Sequence, residues 1–162
     1  MKNRNNLVVD LEQLLKLLKL KVSLEQYQTI AQRSEKQGLS HIEYLYELML
    51  KEADQRQHIK IQNLVKAAKM PRDKLLDDFD STRIPGLAPS QIQQLAQGEF
   101  IDRYGNILIF GNPGTGKTHL SIALAREWCL LGRKVRFFTA ASLVQLLLQA
   151  KRDLKLDAFI KN

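Results

Sequence analysis

Over the first 70 positions, apolar residues recur at spacings of three and four. Leu7, Leu11, Leu14, Leu15 and Leu18 fall on one face of a helix over 7–20. "SLEQ" (23–26) has the form of a capping box, with Ser23 as cap and Gln26 reaching back. The helix it opens carries Leu24, Tyr27, Ile30 and Ala31 and stops near Gly38. A second capping box, "SHIE" (40–43), opens a third helix with Ile42, Leu45, Tyr46 and Met49 inward. No proline or glycine interrupts the chain from there to Pro71, so this helix is expected to be long. Beyond Leu50 its apolar stripe thins to Ala53, Ile61, Leu64, Val65 and Ala68.

The pattern changes after Met70. Residues 70–89, "MPRDKLLDDFDSTRIPGLAP", hold three prolines and an acid cluster and read as a linker or packed strap. "SQIQQLAQGEF" (90–100) reads as a short helix capped by Ser90 and stopped by Gly98. Ile107 to Phe110 is a continuous apolar run, the pattern of a strand covered on both faces. An apolar helix follows from Thr118 to Leu131 and ends at Gly132. Residues 134–140 predict a second strand and 141–154 another helix. The organisation is therefore a helical domain (1–70), a linker (71–89) and an α/β domain (90–162).

Charge divides the chain in the same places. The formal net charge is +8 over 162 residues, with a pI near 9.7. It is distributed as +4 over residues 1–70, −3 over 71–102 and +7 over 103–162. A basic balance of this size favours anionic partners, of which nucleic acid is the commonest. Cys129, the one cysteine, excludes an internal disulfide and a thiolate zinc site. It lies in an apolar helix and is expected to be buried. His41, His58 and His119 have no ligand-like spacing. The charges Asp10, Glu12, Lys16 and Lys19 break up the first leucine-rich helix too often for a membrane span. A soluble, cytoplasmic protein is expected.

The chemistry sits at 111–118. "GNPGTGKT" matches the phosphate-loop pattern through Gly111, Gly116, Lys117 and Thr118, between an apolar strand and an apolar helix. Glycines at 111, 114 and 116 let the backbone turn its N–H groups toward phosphate oxygens. The start of the helix adds a positive dipole end. Lys117 supplies charge to the outer phosphates of ATP, and the hydroxyl of Thr118 is the expected Mg²⁺ ligand. Asn112, Pro113 and Thr115 complete the loop. His119, in the first turn of the helix, is expected to be structural.

Hydrolysis needs a second acid site, an apolar strand ending in aspartate and usually a further acid. "KLLDD" (74–78) has paired aspartates after only two apolar residues and precedes the loop. "LKLDAF" (154–159) is interrupted by Lys155 and has no second acid. Neither qualifies, and no arginine finger can be placed. In a sheet ordered 5-1-4-3-2 the two strands expected here would also lack their neighbours. The expectation is the N-terminal part of a longer ATPase, unable to hydrolyse ATP by itself.

The stretch "GEFIDRYGNILIFGNPGTGKTHLSIALA" (98–125) resembles the IstB family, ATPases that assist the transposase of certain insertion sequences. The likeness extends through 39–53, 70–80 and 134–151, and the DnaC-like helicase loaders are close relatives. The resemblance implies an AAA+ fold, so that the helical domain would precede a partial parallel-sheet domain. It also implies Mg-ATP as cofactor, oligomeric assembly on DNA and a transposase partner. Helicase loading is the alternative function, and a non-enzymatic oligomerising or DNA-contacting remnant is a third. A pulldown of helicase or of transposase separates the first two.

For DNA itself, the helices meeting at "KQGLS" (36–40) could suggest a helix-turn-helix. His41, Glu43 and Glu47 open the second helix, however, and acids there repel phosphate. A plain bundle is favoured. Lys51, Arg56, Lys60, Lys66 and Lys69 are the electrostatic candidates for DNA, together with "KRDLK" (151–155). A solvated helix face is the competing reading.

Overall fold

The computed structural model describes all residues except 1–3, 82, 83, 85 and 162. The chain divides into two compact units, Met1–Lys60 and Ile61–Asn162.

The first unit contains α1 (Arg4–Leu17), α2 (Lys21–Gln37) and most of α3 (His41–Ala67). Each helix contributes one buried aliphatic side chain: Leu15, Ile30 and Leu48. Polar cross-links supplement this small core. Tyr27 Oη donates to Glu12 Oε1 at 2.9 Å, and Arg33 pairs with Glu47. The long third helix forms as the absence of Pro and Gly predicts. Its capping box also forms, since Glu43 Oε2 accepts from Ser40 N at 2.7 Å and Glu43 N donates to Ser40 Oγ at 3.2 Å. Gly38 ends α2 in the left-handed conformation at φ 66°.

The inward faces differ from the expected ones. Ile42, Leu45, Tyr46 and Met49 are exposed, Ile42 to 80%. The row turned inward is Tyr44, Leu48 and Glu52, one turn apart. Leu7, Leu11, Leu14 and Leu18 are exposed as well. Ser23 does not cap α2, which starts two residues earlier behind Leu20 with no side-chain cap. Instead, Ser23 is buried within the first turn, and Glu52 of α3 accepts from its N–H at 3.0 Å and its hydroxyl at 3.3 Å. A carboxylate from another helix thus satisfies a donor left over at the start of α2. That role pulls Glu52 inward and rotates α3 away from its most apolar face.

The second unit contains α4 (Pro89–Gln97), α5 (Glu99–Asp102), α6 (Lys117–Leu130), α7 (Ala140–Arg152) and α8 (Leu156–Lys161). Helix α4 packs on α6 around Ile92, Leu120 and Leu124. Leu76, Leu87, Leu95, Ile107, Ile109 and Trp128 pack against that cluster. Helix α4 begins two residues earlier than a Ser90 cap implies, with Ala88 as N-cap and Pro89 in its first turn. Ser90 is therefore inside the helix, and Gln91 Oε1 accepts from Ala88 N at 2.9 Å. Gly98 stops the helix as predicted, at φ 70°. Helix α7 is capped by Thr139, whose hydroxyl accepts from Ser142 N at 3.1 Å.

The expected parallel-sheet domain is not what forms. Among the described residues there is no strand, and the α/β class is overturned in favour of helices joined by extended segments. Residues 105–112 and 133–139 flank α6 without strand pairing. A strand is held by backbone bonds to a neighbour about 4.8 Å away. No such bond joins these two segments, and Phe137 N instead donates to Ala68 O at 2.9 Å. The expectation that both faces of 107–110 are covered fails with the sheet. Ile107 and Ile109 pack inward, while Leu108 and Phe110 are 78% and 85% exposed. The backbone keeps the two-residue alternation of a strand but has only one layer to bury it against.

Candidate phosphate-binding site

The site is the turn between the extended segment 107–110 and α6. Ile107 and Ile109 anchor its entry, and Leu120 and Leu124 anchor its exit, all in one cluster. Between them Gly114 and Gly116 adopt φ 84° and 86°, values that side chains with a Cβ rarely take. Gly116 is the N-cap of α6. Among the described residues, no protein acceptor takes the backbone N–H of Gly114, Gly116, Lys117 or Thr118. These donors cluster at the positive end of a 14-residue helix, an arrangement suited to an anion.

Lys117 closes over the loop. Its ammonium donates to the carbonyl oxygens of Gly111 at 2.8 Å and Asn112 at 2.7 Å. Thr115 Oγ1 donates to the same Asn112 oxygen at 2.9 Å. Thr118 is exposed in the first turn, next to Lys117. Asn112 and Pro113 lie exposed on the outer bend. A groove of about 510 Å³, lined in part by Leu87, Ile107, Phe110 and Lys117, opens beside the loop. The structure therefore brings all eight predicted loop residues, Gly111 through Thr118, into one turn.

The predicted DNA residues are not gathered in the same way. At about 100° per residue, Lys51, Arg56, Lys60 and Lys66 spread over roughly half the circumference of α3. In the first unit, Lys51 Nζ donates to Gln26 Oε1 at 3.0 Å, and Arg56 Nη2 donates to Lys19 O at 3.3 Å. Arg56 also lies 3.6 Å from Glu52. These two cations are engaged in packing α3 on α2 and on the turn before it. Lys60 is exposed in the same unit; Lys66 and Lys69 are exposed in the second.

Cys129 is fully buried, and burial raises its thiol pKa despite the nearby positive charge of Arg126. The described residues contain no group of three or more His, Cys, Asp or Glu side chains placed to hold a metal ion. None of their helices is long and apolar enough to cross a membrane.

Sequence reasoning gave the strap no part in the site. Phe79 lies against Gly116, and His119 Nε2 is 3.0 Å from Leu75 O. The available signal was Leu75, Leu76 and Phe79, an apolar set with helical spacing inside a proline-rich acidic stretch.

A family profile described as IstB-like ATP binding protein matches residues 13–162. The chain belongs to this family. An ATP-binding protein named for insertion sequence IS5376 of Geobacillus stearothermophilus is 38% identical over 140 residues, covering 86% of this chain and 56% of that protein. One named for insertion sequence IS21 of Pseudomonas aeruginosa is 31% identical over 148 residues, covering 91% and 56%. A third, an insertion-sequence ATP-binding protein of Sinorhizobium fredii, is 30% identical over 131 residues, covering 80% and 44%. The chain spans about half the length of the curated relatives it matches. IstB-like proteins are ATP-binding proteins, which fits a loop of free N–H donors with a lysine across its mouth.

Proposed function

We propose that this chain is the nucleotide-binding part of a helper protein for DNA transposition, and that Gly111–Thr118 hold the phosphates of ATP. The observation that carries the reading is the loop itself: four unclaimed N–H groups, a helix N-terminus and Lys117 within one turn. Mg²⁺ is the proposed partner of the Thr118 hydroxyl. The relatives named for insertion sequences support the transposition context.

In this reading the backbone N–H groups orient the phosphates and Lys117 neutralises their charge. A transposase, DNA and further copies of the chain are the proposed partners. DNA contact is sequence-indifferent and runs through phosphates, because no base-reading element stands out. Titration of the chain with labelled Mg-ATP tests the nucleotide assignment. Saturable binding that Lys117→Ala abolishes is expected; binding that this substitution leaves unchanged defeats it.

A further inference from the structure

Besides its apolar packing, the strap meets α6 and its N-cap through Phe79, Leu75 and Asp73. The Phe79 ring stands edge-on to the His119 imidazole, with centroids 5.5 Å apart and planes at 70°. The same ring covers Gly116, where an added Cβ would lie 3.1 Å from Phe79 Cε2. His119 Nε2 lies 3.0 Å from the carbonyl oxygen of Leu75. A carbonyl has no proton to give, so Nε2 carries the hydrogen in that bond. Further along, Arg126 Nη1 is 3.4 Å from Asp73 Oδ1.

The location of these touching points matters more than their number. Gly116 closes the phosphate loop, and His119 is three residues on. Between them stand Lys117 and Thr118, the two side chains assigned to phosphate and Mg²⁺. The strap therefore grips the chain on both sides of the proposed ligand-binding side chains. Leu76 and Leu87 already fix the segment to the Ile92–Leu120–Leu124 cluster. The His119 bond adds little burial, since both ends are at the surface, but it adds direction. With its Nε2 hydrogen committed to Leu75, His119 is placed to hold geometry rather than to carry a proton to substrate.

We propose that Phe79 and His119 are positioning residues that couple the strap to the phosphate loop. The proposal rests on nucleotide binding at Gly111–Thr118. When the strap is down, the Phe79 ring backs the left-handed turn at Gly116, and the first turn of α6 is tied to Leu75. When it lifts, both restraints go, and the N–H groups of the loop lose their fixed aim. Nucleotide therefore binds the docked state better and holds the strap in place. By linkage, whatever releases the strap weakens nucleotide binding by the same factor.

The strap carries its own reporter, because Arg72 and Lys74 are trypsin sites next to Asp73. Cleavage there is followed in the 162-residue chain with and without Mg-ADP bearing a fluorescent ribose label, and affinity is read from the same label. In the wild-type chain nucleotide should slow cleavage at least about fivefold. Lys117→Ala should bind no nucleotide and show no protection. His119→Phe keeps a ring edge for Phe79 but removes the donor to Leu75. It should bind about three- to tenfold more weakly and lose most of the protection at saturating nucleotide. His119→Gln, which restores a donor without the ring, should recover part of both, and Phe79→Leu should behave as His119→Phe. Far-UV circular dichroism verifies that each variant is folded. A wild-type chain that binds nucleotide while its strap is cut at an unchanged rate overturns the coupling. So does a His119→Phe chain with wild-type affinity and protection. Absence of nucleotide binding by the wild type, or binding insensitive to Lys117→Ala, overturns the phosphate-loop reading and the coupling with it.

Discussion

Glu52 of α3 takes both the backbone N–H and the hydroxyl of Ser23, and so caps the first turn of α2 from a different helix. Glu52 is only 5% exposed. Removing it leaves buried donors without an acceptor, which costs about 1–3 kcal/mol. Glu52→Ala should therefore lower the stability of the helical unit by about that amount. Urea unfolding followed by circular dichroism checks it. A loss below about 0.5 kcal/mol would mean that water replaces the carboxylate freely.

Charge reversal along α3 and at Lys69 just beyond it should separate two kinds of cation. Lys51 and Arg56 bond to Gln26 and to the Lys19 carbonyl. Their replacement by glutamate should mainly lower stability. Lys60, Lys66 and Lys69 are exposed. Their reversal should weaken DNA binding and flatten its salt dependence, by about 0.9 in log–log slope for each phosphate no longer neutralised. Binding that persists at high salt, or that ignores these three changes, would sink the electrostatic account.

Acid should fray the start of α3 selectively. The Ser40 N–H, and then its hydroxyl, hold the Glu43 carboxyl below its ordinary range. A pKa lowered by folding adds stability that is complete above the unfolded value and disappears as pH falls through the folded one. Amide exchange in the first turn of α3 should accelerate as pH drops from about 5 to about 3, after correction for intrinsic rates. Glu43→Ala should exchange fast throughout. A wild-type protection that is flat over this range would rule out the ionised cap.

The surface fork between Arg133 and Asp102, with two bonds of 2.7 Å, gives a second acid-range marker. Hydrogen bonding to Arg133 lowers the Asp102 pKa and raises that of the guanidinium. Carbon-detected titration should place the Asp102 midpoint below that of a free aspartate. Arg133→Gln should return it to the ordinary range; an unchanged midpoint would deny the pairing.

Gly116→Ala should impair nucleotide binding at least about tenfold. The site has φ 86°, and the new methyl would meet the Phe79 ring at 3.1 Å. Phe79→Leu relieves the contact but also removes the ring that backs Gly116, so the double variant should bind no better than Phe79→Leu alone. Affinity measured in both single variants and the double checks it.

Local chemistry made much of this protein legible in sequence. The turn at 111–118 could be read from its glycines, because the positive φ of Gly114 and Gly116 is a backbone requirement that a sequence can show. The end of α2 at Gly38 and the box at Ser40–Glu43 were legible for the same reason. What was not legible depends on distant partners. Glu52 looks like a solvent residue until Ser23 is brought beside it, and that one pairing changes which face of α3 is buried. Ile107–Phe110 has the composition of a covered strand, but strand formation belongs to a pair. Without a bonded neighbour the run stays extended and shows Leu108 and Phe110 to solvent.

If the loop takes the phosphates of nucleotide, as proposed, the grip of Lys117 on the Gly111 and Asn112 carbonyls makes that capture an exchange reaction. The ammonium has already left part of its hydration shell and holds two oxygens of its own loop. An arriving phosphate competes with those oxygens as well as with water, so the heat of binding is a difference between two sets of charged hydrogen bonds. The two carbonyls released in that exchange must find solvent or turn away. The lysine thus braces its own loop, and in the proposed reading a chain without it loses that brace together with a phosphate ligand.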